Sequence, residues 1–297
     1  MNFETTTPIA GVARSAMLVD LNISMYSGRK QDKATQETVI NANNSGSRRA
    51  ASVYKNLFAE CKELEAITKF QARARAEHYR LTIPWSDSGS RLLPTKALLD
   101  YKKVMNQHQD EFDKLVAAFL VKYDTLVAAA AFQLGTLFDR DEYPAREYVE
   151  RRFRFDNSFM PLPTGGDFRL DIESEAQREL IEQYERKMSD KVGEATKDLW
   201  GRLHAALSRL SDRLVIEEDG TKRKFHSTMV TGALELCDLL TTLNVTNDPS
   251  LEKARRSLQD TLQGVEPDEL RKYDGHRMEL KQKVDGILEA FDWGLNG

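Results

Sequence analysis

Five histidines, two cysteines and two runs of carboxylates are the residues that could do chemistry in this sequence, and their spacing decides whether they do. His78, His108, His204, His226 and His276 are scattered, and none has a second histidine at the separation that puts two metal ligands on one helix face. Cys61 and Cys237 lie far apart with no CxxC anywhere, and each falls in an apolar helical pattern, where a thiol serves as a small buried hydrophobe. Gly28-Arg29-Lys30 follows a strand-like segment but lacks the first glycine and the final hydroxyl residue of a phosphate-cradling GxxxxGKS/T loop. GxGxxG, GxSxG and HExxH are absent. Asp139-Arg-Asp-Glu142 and Glu217-Glu-Asp219 fall at expected turns, where solvated carboxylates are ordinary; two carboxylates become an acid and a base only when burial or mutual repulsion separates their pKa values. These residues assign no catalytic group, metal or cofactor, and the chain reads as a binding protein before it reads as an enzyme.

One basic and aromatic grouping stands above that background. Arg73, Arg75 and Arg80, with Lys69 and Tyr79, end a long helical pattern, and Trp85 follows in the next loop. Arg29 and Lys30, with Lys33, Arg48 and Arg49, are expected on the same lobe. Cations beside aromatic rings can neutralise phosphates and stack on bases, so Arg29, Lys30, Arg73, Arg75, Arg80 and Trp85 are the candidate binding residues. Against that reading, Glu77 and the acids of 60–65 dilute the charge, and Arg73 and Arg75 project from different sides of one helix.

The elements that must position these groups follow from composition and period. The 297 residues carry 43 basic and 47 acidic side chains, 30% charged overall, with only 16 glycines and 8 prolines; this excludes collagenous, disulfide-stapled and wholly disordered chains and favours long solvated helices. Residues 1–160 hold 23 basic against 20 acidic groups, and 161–297 hold 20 against 27, a contrast too small for a strongly basic nucleic-acid domain. The N-terminus shows no charged segment followed by an apolar run, and Leu115–Leu137 is interrupted by Lys122, Asp124 and Gln133, so a cytoplasmic protein without a membrane span is expected.

Met17, Val19, Leu21, Ile23 and Met25 alternate with more polar neighbours and predict a strand. Residues 29–47 are polar and weakly patterned. Val53, Leu57, Cys61, Leu64 and Ile67 predict a helix towards His78, with a loop over 83–90. A second long helix is expected from Thr95 to about Phe138, and a short one after Pro144. Phe153–Ile172 reads as extended chain that pairs with the first strand, with a turn at Gly165-Gly166. From Ser174, apolar residues between Ile181 and Leu210 recur about every 3.6 residues, the period of a nearly straight helix. Asp219-Gly220 reverses the chain, Ser227 and Asp248 are candidate caps, and Glu266-Pro267 opens a last helix to Phe291. The expected fold is mainly α: long antiparallel helices or a helical bundle, with a small sheet from the N-terminal strand and the mid-chain segment. The expected division is a mixed lobe over 1–172 and a helical lobe over 173–297.

The stretch Leu18-Val-Asp-Leu-Asn-Ile-Ser-Met-Tyr-Ser-Gly-Arg-Lys30, ahead of a mostly helical chain of this length, resembles a family of uncharacterised proteins of tailed bacteriophages. That resemblance implies a virus-encoded protein of the host cytoplasm, often encoded near a MoxR-type AAA+ ATPase and a von Willebrand factor A-like protein, and it carries no catalytic residues over. The expected function is a non-enzymatic interaction or assembly protein that self-associates and serves as adaptor or client of such an ATPase. A nucleic-acid-binding protein using the basic lobe is the alternative. Self-association is expected through the apolar stripe Leu199–Leu210.

Overall fold

The computed structural model describes residues 8–86, 89–163 and 174–294. Along the chain come α1 (Pro8–Ser15), β1 (Ala16–Ser24), β2 (Arg29–Gln31), α2 (Lys33–Ala42), β3 (Tyr54–Asn56), α3 (Lys62–Leu81), β4 (Ile83–Pro84), β5 (Arg91–Pro94), α4 (Leu98–Leu134), α5 (Arg146–Glu150), β6 (Arg154–Pro161), α6 (Ser174–Leu214), α7 (Thr228–Leu243), α8 (Pro249–Leu262), α9 (Pro267–Lys272) and α10 (Asp274–Ala290). The fold is mainly helical with a small antiparallel sheet.

The alternation in β1 does what a period of two dictates: Val19, Leu21 and Ile23 are buried, while Asn22 and Ser24 face solvent. The strand order is β4-β5-β1-β6, so the mid-chain segment borders the N-terminal strand as its sequence suggested. Phe168, Leu170 and the Gly165-Gly166 turn lie outside the described residues. A second, two-stranded sheet joins β2 to β3, with Arg29 opposite Asn56 and Gln31 opposite Tyr54.

Two compact units interleave along the chain. One comprises Met1–Asp20, Tyr79–Tyr101 and Ser158–Gly297; the other comprises Leu21–His78 and Lys102–Asn157. The boundaries fall within β1, α3, α4 and β6, whereas a division at 172/173 would cut the chain once. The reason is core sharing: Ile83, Trp85 and Leu92 of the sheet hairpin pack into the same cluster as the C-terminal helices.

The first unit has an aliphatic core. Leu199, Leu203, Leu207, Leu210 and Leu214 of α6 are buried against Val230 and Leu240 of α7, Leu251 and Leu258 of α8, and Leu280 and Val284 of α10. The α6 stripe is therefore covered within the chain and offers no surface to a second copy. Asp248 caps α8, its Oδ1 accepting from Ser250 N at 2.8 Å and Leu251 N at 3.3 Å, with Pro249 in the first turn. Buried Arg255 is held by Glu252 through two hydrogen bonds of 2.8 and 2.9 Å.

The second unit has an aromatic core. Phe58 meets Phe119, Tyr123 and Tyr143 at centroid distances of 5.7, 5.6 and 5.4 Å, and Phe112 packs on Phe153 and Phe155. Met105, Phe112, Phe119, Tyr123 and Ala130 form the buried stripe that the periodicity of α4 predicts.

Four local expectations are corrected. Residues 29–47 contain β2 and a capped helix, α2, in which Asp32 Oδ1 accepts from Thr35 N at 3.0 Å. The helix expected from Val53 begins only at Lys62, because Leu57 N donates to Gly28 O, Asn56 Oδ1 accepts from Phe58 N, and Glu60 sits at φ 61°. Ser227 makes no capping hydrogen bond. The last helix is broken at Tyr273, whose φ of −118° and ψ of 116° are extended, so α9 and α10 are separate.

Two measurements test these packing claims. Leu21→Lys would bury an unpaired charge and is expected to destabilise by on the order of 3 kcal/mol; an unchanged melting temperature would place Leu21 at the surface. The Arg255 guanidinium, through its hydrogen bonds, holds the Glu252 carboxyl at about 2, below its ordinary value of 4.5. A lowered carboxylate contributes stability that is full above pH 4.5 and fades as pH falls towards 2. Glu252→Gln should therefore cost about 1–2 kcal/mol at pH 7, since a buried arginine loses its charged partner. Thermal melts should find that deficit shrinking between pH 4.5 and 2; a deficit independent of pH would refute the assignment.

Candidate functional site

The structure disperses the six sequence-predicted residues. Arg80 and Trp85 belong to the first unit, and Arg29, Lys30, Arg73 and Arg75 to the second. Trp85 is buried in the aliphatic cluster, with its carbonyl accepting from Lys191 Nζ at 2.7 Å, so its ring offers no stacking face. Arg80 forms part of an internal cap: its carbonyl, with those of Tyr79 and Thr82, accepts from the Arg202 guanidinium at 2.8, 3.1 and 2.7 Å. Arg91 donates to the Thr82 carbonyl and hydroxyl and stacks on Tyr79 at 4.9 Å. Arg73 is paired with Glu111 and lies over the Phe70 ring, while Arg75 donates to the Ile23 carbonyl at 3.2 Å. Arg202 and Arg91 thus tie the end of α3 to α6 and β5, and Arg75 ties α3 to β1.

Arg29 and Lys30 differ. They sit on the β2–β3 ribbon, both exposed, and neither has a carboxylate partner among the described residues. Strand alternation sends them to opposite faces. Lys30 shares its face with Lys55, which is engaged by Glu142 at 2.5 Å and by the Leu137 carbonyl. Arg29 shares the other face with Gln31 and Tyr54, and its guanidinium lies 5.5 Å from the centroid of the half-exposed Tyr54 ring. Next to Gln31 opens a cleft of about 290 Å³, lined by Lys33, Gln36, Glu37, Ile40, Asn41 and Arg48. The Gln31 amide donates to Gln36 Oε1, and the Gln36 amide donates to the Arg48 carbonyl, tying ribbon, helix and loop together. The ribbon face thus joins Arg29 with Lys33 and Arg48, which the sequence reading held only as neighbours, and adds Tyr54, which it missed. The legible signals were the Asp32-x-x-Thr35 cap and the Asn-rich turn, which bracket a short helix.

A second surface was missed altogether. On the side of α4 opposite its buried stripe, Phe132 is 92% and Val121 76% exposed, and Ala117, Ala118, Ala128 and Ala129 are exposed beside them. Its signal was present: apolar residues occur all round this helix between 115 and 132, more than one buried stripe requires. The helical stretch 95–137 is long and apolar enough to cross a membrane by length and composition, though a third of its apolar window is buried in the protein.

Burial shifts both cysteines and one histidine away from their ordinary values. Burial pushes the Cys237 thiol up to about 11 and raises that of Cys61. Burial also raises Tyr143, to about 12, and lowers His108. Among the described residues no group of three His, Cys, Asp or Glu could hold a metal ion. Gly28-Arg29-Lys30 enters a strand and not a helix, so its amides do not converge as a phosphate loop requires. Comparison with protein-family models, curated proteins and solved structures yields no match.

Gly28 sets the ribbon's position. Its φ is +61°, and an added Cβ would lie 3.0 Å from Phe58 Cδ2 and 3.2 Å from Leu64 Cδ2. Gly28→Ala is expected to destabilise by about 1–2 kcal/mol from the backbone alone, with amide exchange rising first in β2 and β3. Unchanged exchange there would show that the ribbon is not anchored through this turn.

Proposed function

We propose that this chain is a non-enzymatic assembly protein that self-associates through the exposed apolar face of α4. The observation that carries this reading is the exposure of Phe132 and Val121 on a helix whose other stripe is already buried. Exposed apolar patches of this kind mark association surfaces. The occupant we favour is a second copy, because the face is self-complementary. Counting from Thr125, Phe132 lies seven residues on and Ala118 seven back; Ala129 lies four on and Val121 four back. An antiparallel pair crossing at Thr125 sets each large side chain over a small one, twice, by the two-fold symmetry of an isologous contact. Helix pairing of this kind is also where the expected bundle or coiled-coil character belongs.

On the same reading, the resemblance of Leu18–Lys30 to the tailed-phage family supports action in the cytoplasm of an infected cell. It also supports a MoxR-type ATPase or a von Willebrand factor A-like protein as the further partner.

Sedimentation velocity tests the pairing. One helix-on-helix contact falls at the small end of stable interfaces, below about 1,200 Å², so a reversible dimer at micromolar concentration is expected. Val121→Glu with Phe132→Glu should give monomers with unchanged melting, both positions being solvent-facing. A wild-type chain that stays monomeric across the micromolar range would overturn the proposal.

A further inference from the structure

The β2–α2–β3 element carries a charge pattern that neither the fold nor self-association through α4 uses. Residues 29–56 hold six basic and two acidic side chains. Of the acids, Asp32 caps α2, which leaves Glu37 on the rim of the cleft. Lys55 is paired with Glu142, but Arg29, Lys30, Lys33, Arg48 and Arg49 are all exposed and none has an ion-pair partner among the described residues. Elsewhere in this unit Arg73, Lys69 and Lys122 each hold a glutamate. Cations such as Lys103, Lys114 and Arg154 are spread along α4 and β6, whereas the ribbon and its loop gather five without such a partner on one short element. Like charges left unneutralised on one small element repel one another, and a bound polyanion would relieve that repulsion.

The choice of polyanion rests on Tyr54. Its ring is 54% exposed with Arg29 stacked upon it, on the ribbon face that continues through Gln31 into the cleft beside Lys33 and Arg48. An acidic protein segment would call for apolar anchors at the centre of its contact, and Ile40, the apolar residue of the cleft, is buried. A lipid surface would call for an apolar insertion that this ribbon lacks. A ring and guanidinium flanked by cations and side-chain amides suit a base and its neighbouring phosphates.

We propose that this ribbon face binds single-stranded nucleic acid, Arg29, Lys33 and Arg48 contacting phosphates and Tyr54 stacking a base. Lys30 faces away and takes no part in direct contact.

Fluorescence anisotropy of a labelled 20-nucleotide oligothymidylate with the full-length protein tests this. Three phosphate contacts predict a slope of log affinity against log salt near −2, at about −0.7 per contact for single strands. Arg29→Glu with Arg48→Glu should weaken binding at least tenfold, and Tyr54→Ala about tenfold, while Tyr54→Phe should retain affinity. Lys103→Glu, the charge reversal of one of those two substitutions made at an exposed site on α4, is the control and should shift affinity less than twofold. Should the double mutant unfold, the Tyr54 pair and the salt slope decide alone. Absence of binding at 50 mM salt, an equal loss with Lys103→Glu, or equal binding by Tyr54→Ala and wild type would each overturn the proposal. So would capture by phosphatidylglycerol vesicles without capture of the oligonucleotide. Val121→Glu with Phe132→Glu separates the two readings, since it should abolish pairing through α4 and leave the salt slope and the effect of Tyr54→Ala in place.

Discussion

A helix that ends inside a protein leaves carbonyl groups without partners, and in the first unit the answer to that constraint organises much else. The end of α3 presents the carbonyls of Tyr79, Arg80 and Thr82, and the Arg202 guanidinium takes all three while Arg91 takes the last again. The end of α6 presents those of Arg213, Leu214 and Val215, and Arg277, 1% exposed, reaches them together with the carbonyl of Arg223. A planar guanidinium suits this work because its five donors spread over several acceptors at once. Removing Arg277 would strand carbonyls at the buried end of α6, each costing about 1–3 kcal/mol. The hairpin of β4 and β5 is fixed at one of these ends and α10 against α6 at the other.

That constraint also bears on the basic and aromatic grouping around Arg80 and Trp85. Residues next to a buried helix end are placed to serve the backbone. Trp85 fills the core, the Arg80 carbonyl is taken by Arg202, and Arg75 is engaged by the Ile23 carbonyl. The cations on the ribbon of Arg29 and in the loop of Arg48 and Arg49 take no such carbonyl among the described residues. The distinction between a structural and an available arginine is one of backbone demand, not of local composition.

The two cores divide their labour in a comparable way. Aliphatic packing along α6 needs length, and it uses every apolar residue of the stripe between Val192 and Leu214. The aromatic core around Phe58 is built from fewer, larger side chains, so α4 satisfies it with one face and leaves Val121 and Phe132 outside. The surplus apolar surface of the protein thus lies on the helix whose buried face is aromatic.

The sequence by itself determined the elements whose period is strong and local. The alternation of β1, the 3.6-residue repeat of α6, the buried stripe of α4 and the Asp248-Pro249 cap are written in side-chain order, because the backbone geometry of a strand or helix sorts residues between its faces. The neighbouring position of β6 was legible too, since its extended stretch had the N-terminal strand to meet. Tertiary structure decided what depends on partners distant in the chain. Val53, Leu57 and Cys61 match a helical period, yet pairing with β2 and the aromatic hub of Phe58 hold 53–60 out of the helix. The apolar stripe at Leu199–Leu210 reads the same whether a second copy or the chain's own helices cover it, and here the chain covers it. Whether an arginine binds a carbonyl, a glutamate or nothing turns on groups 38 to 123 residues away in the cases of Arg73 and Arg202. No window of sequence contains those partners, so the availability of a charge was settled only when the chain folded.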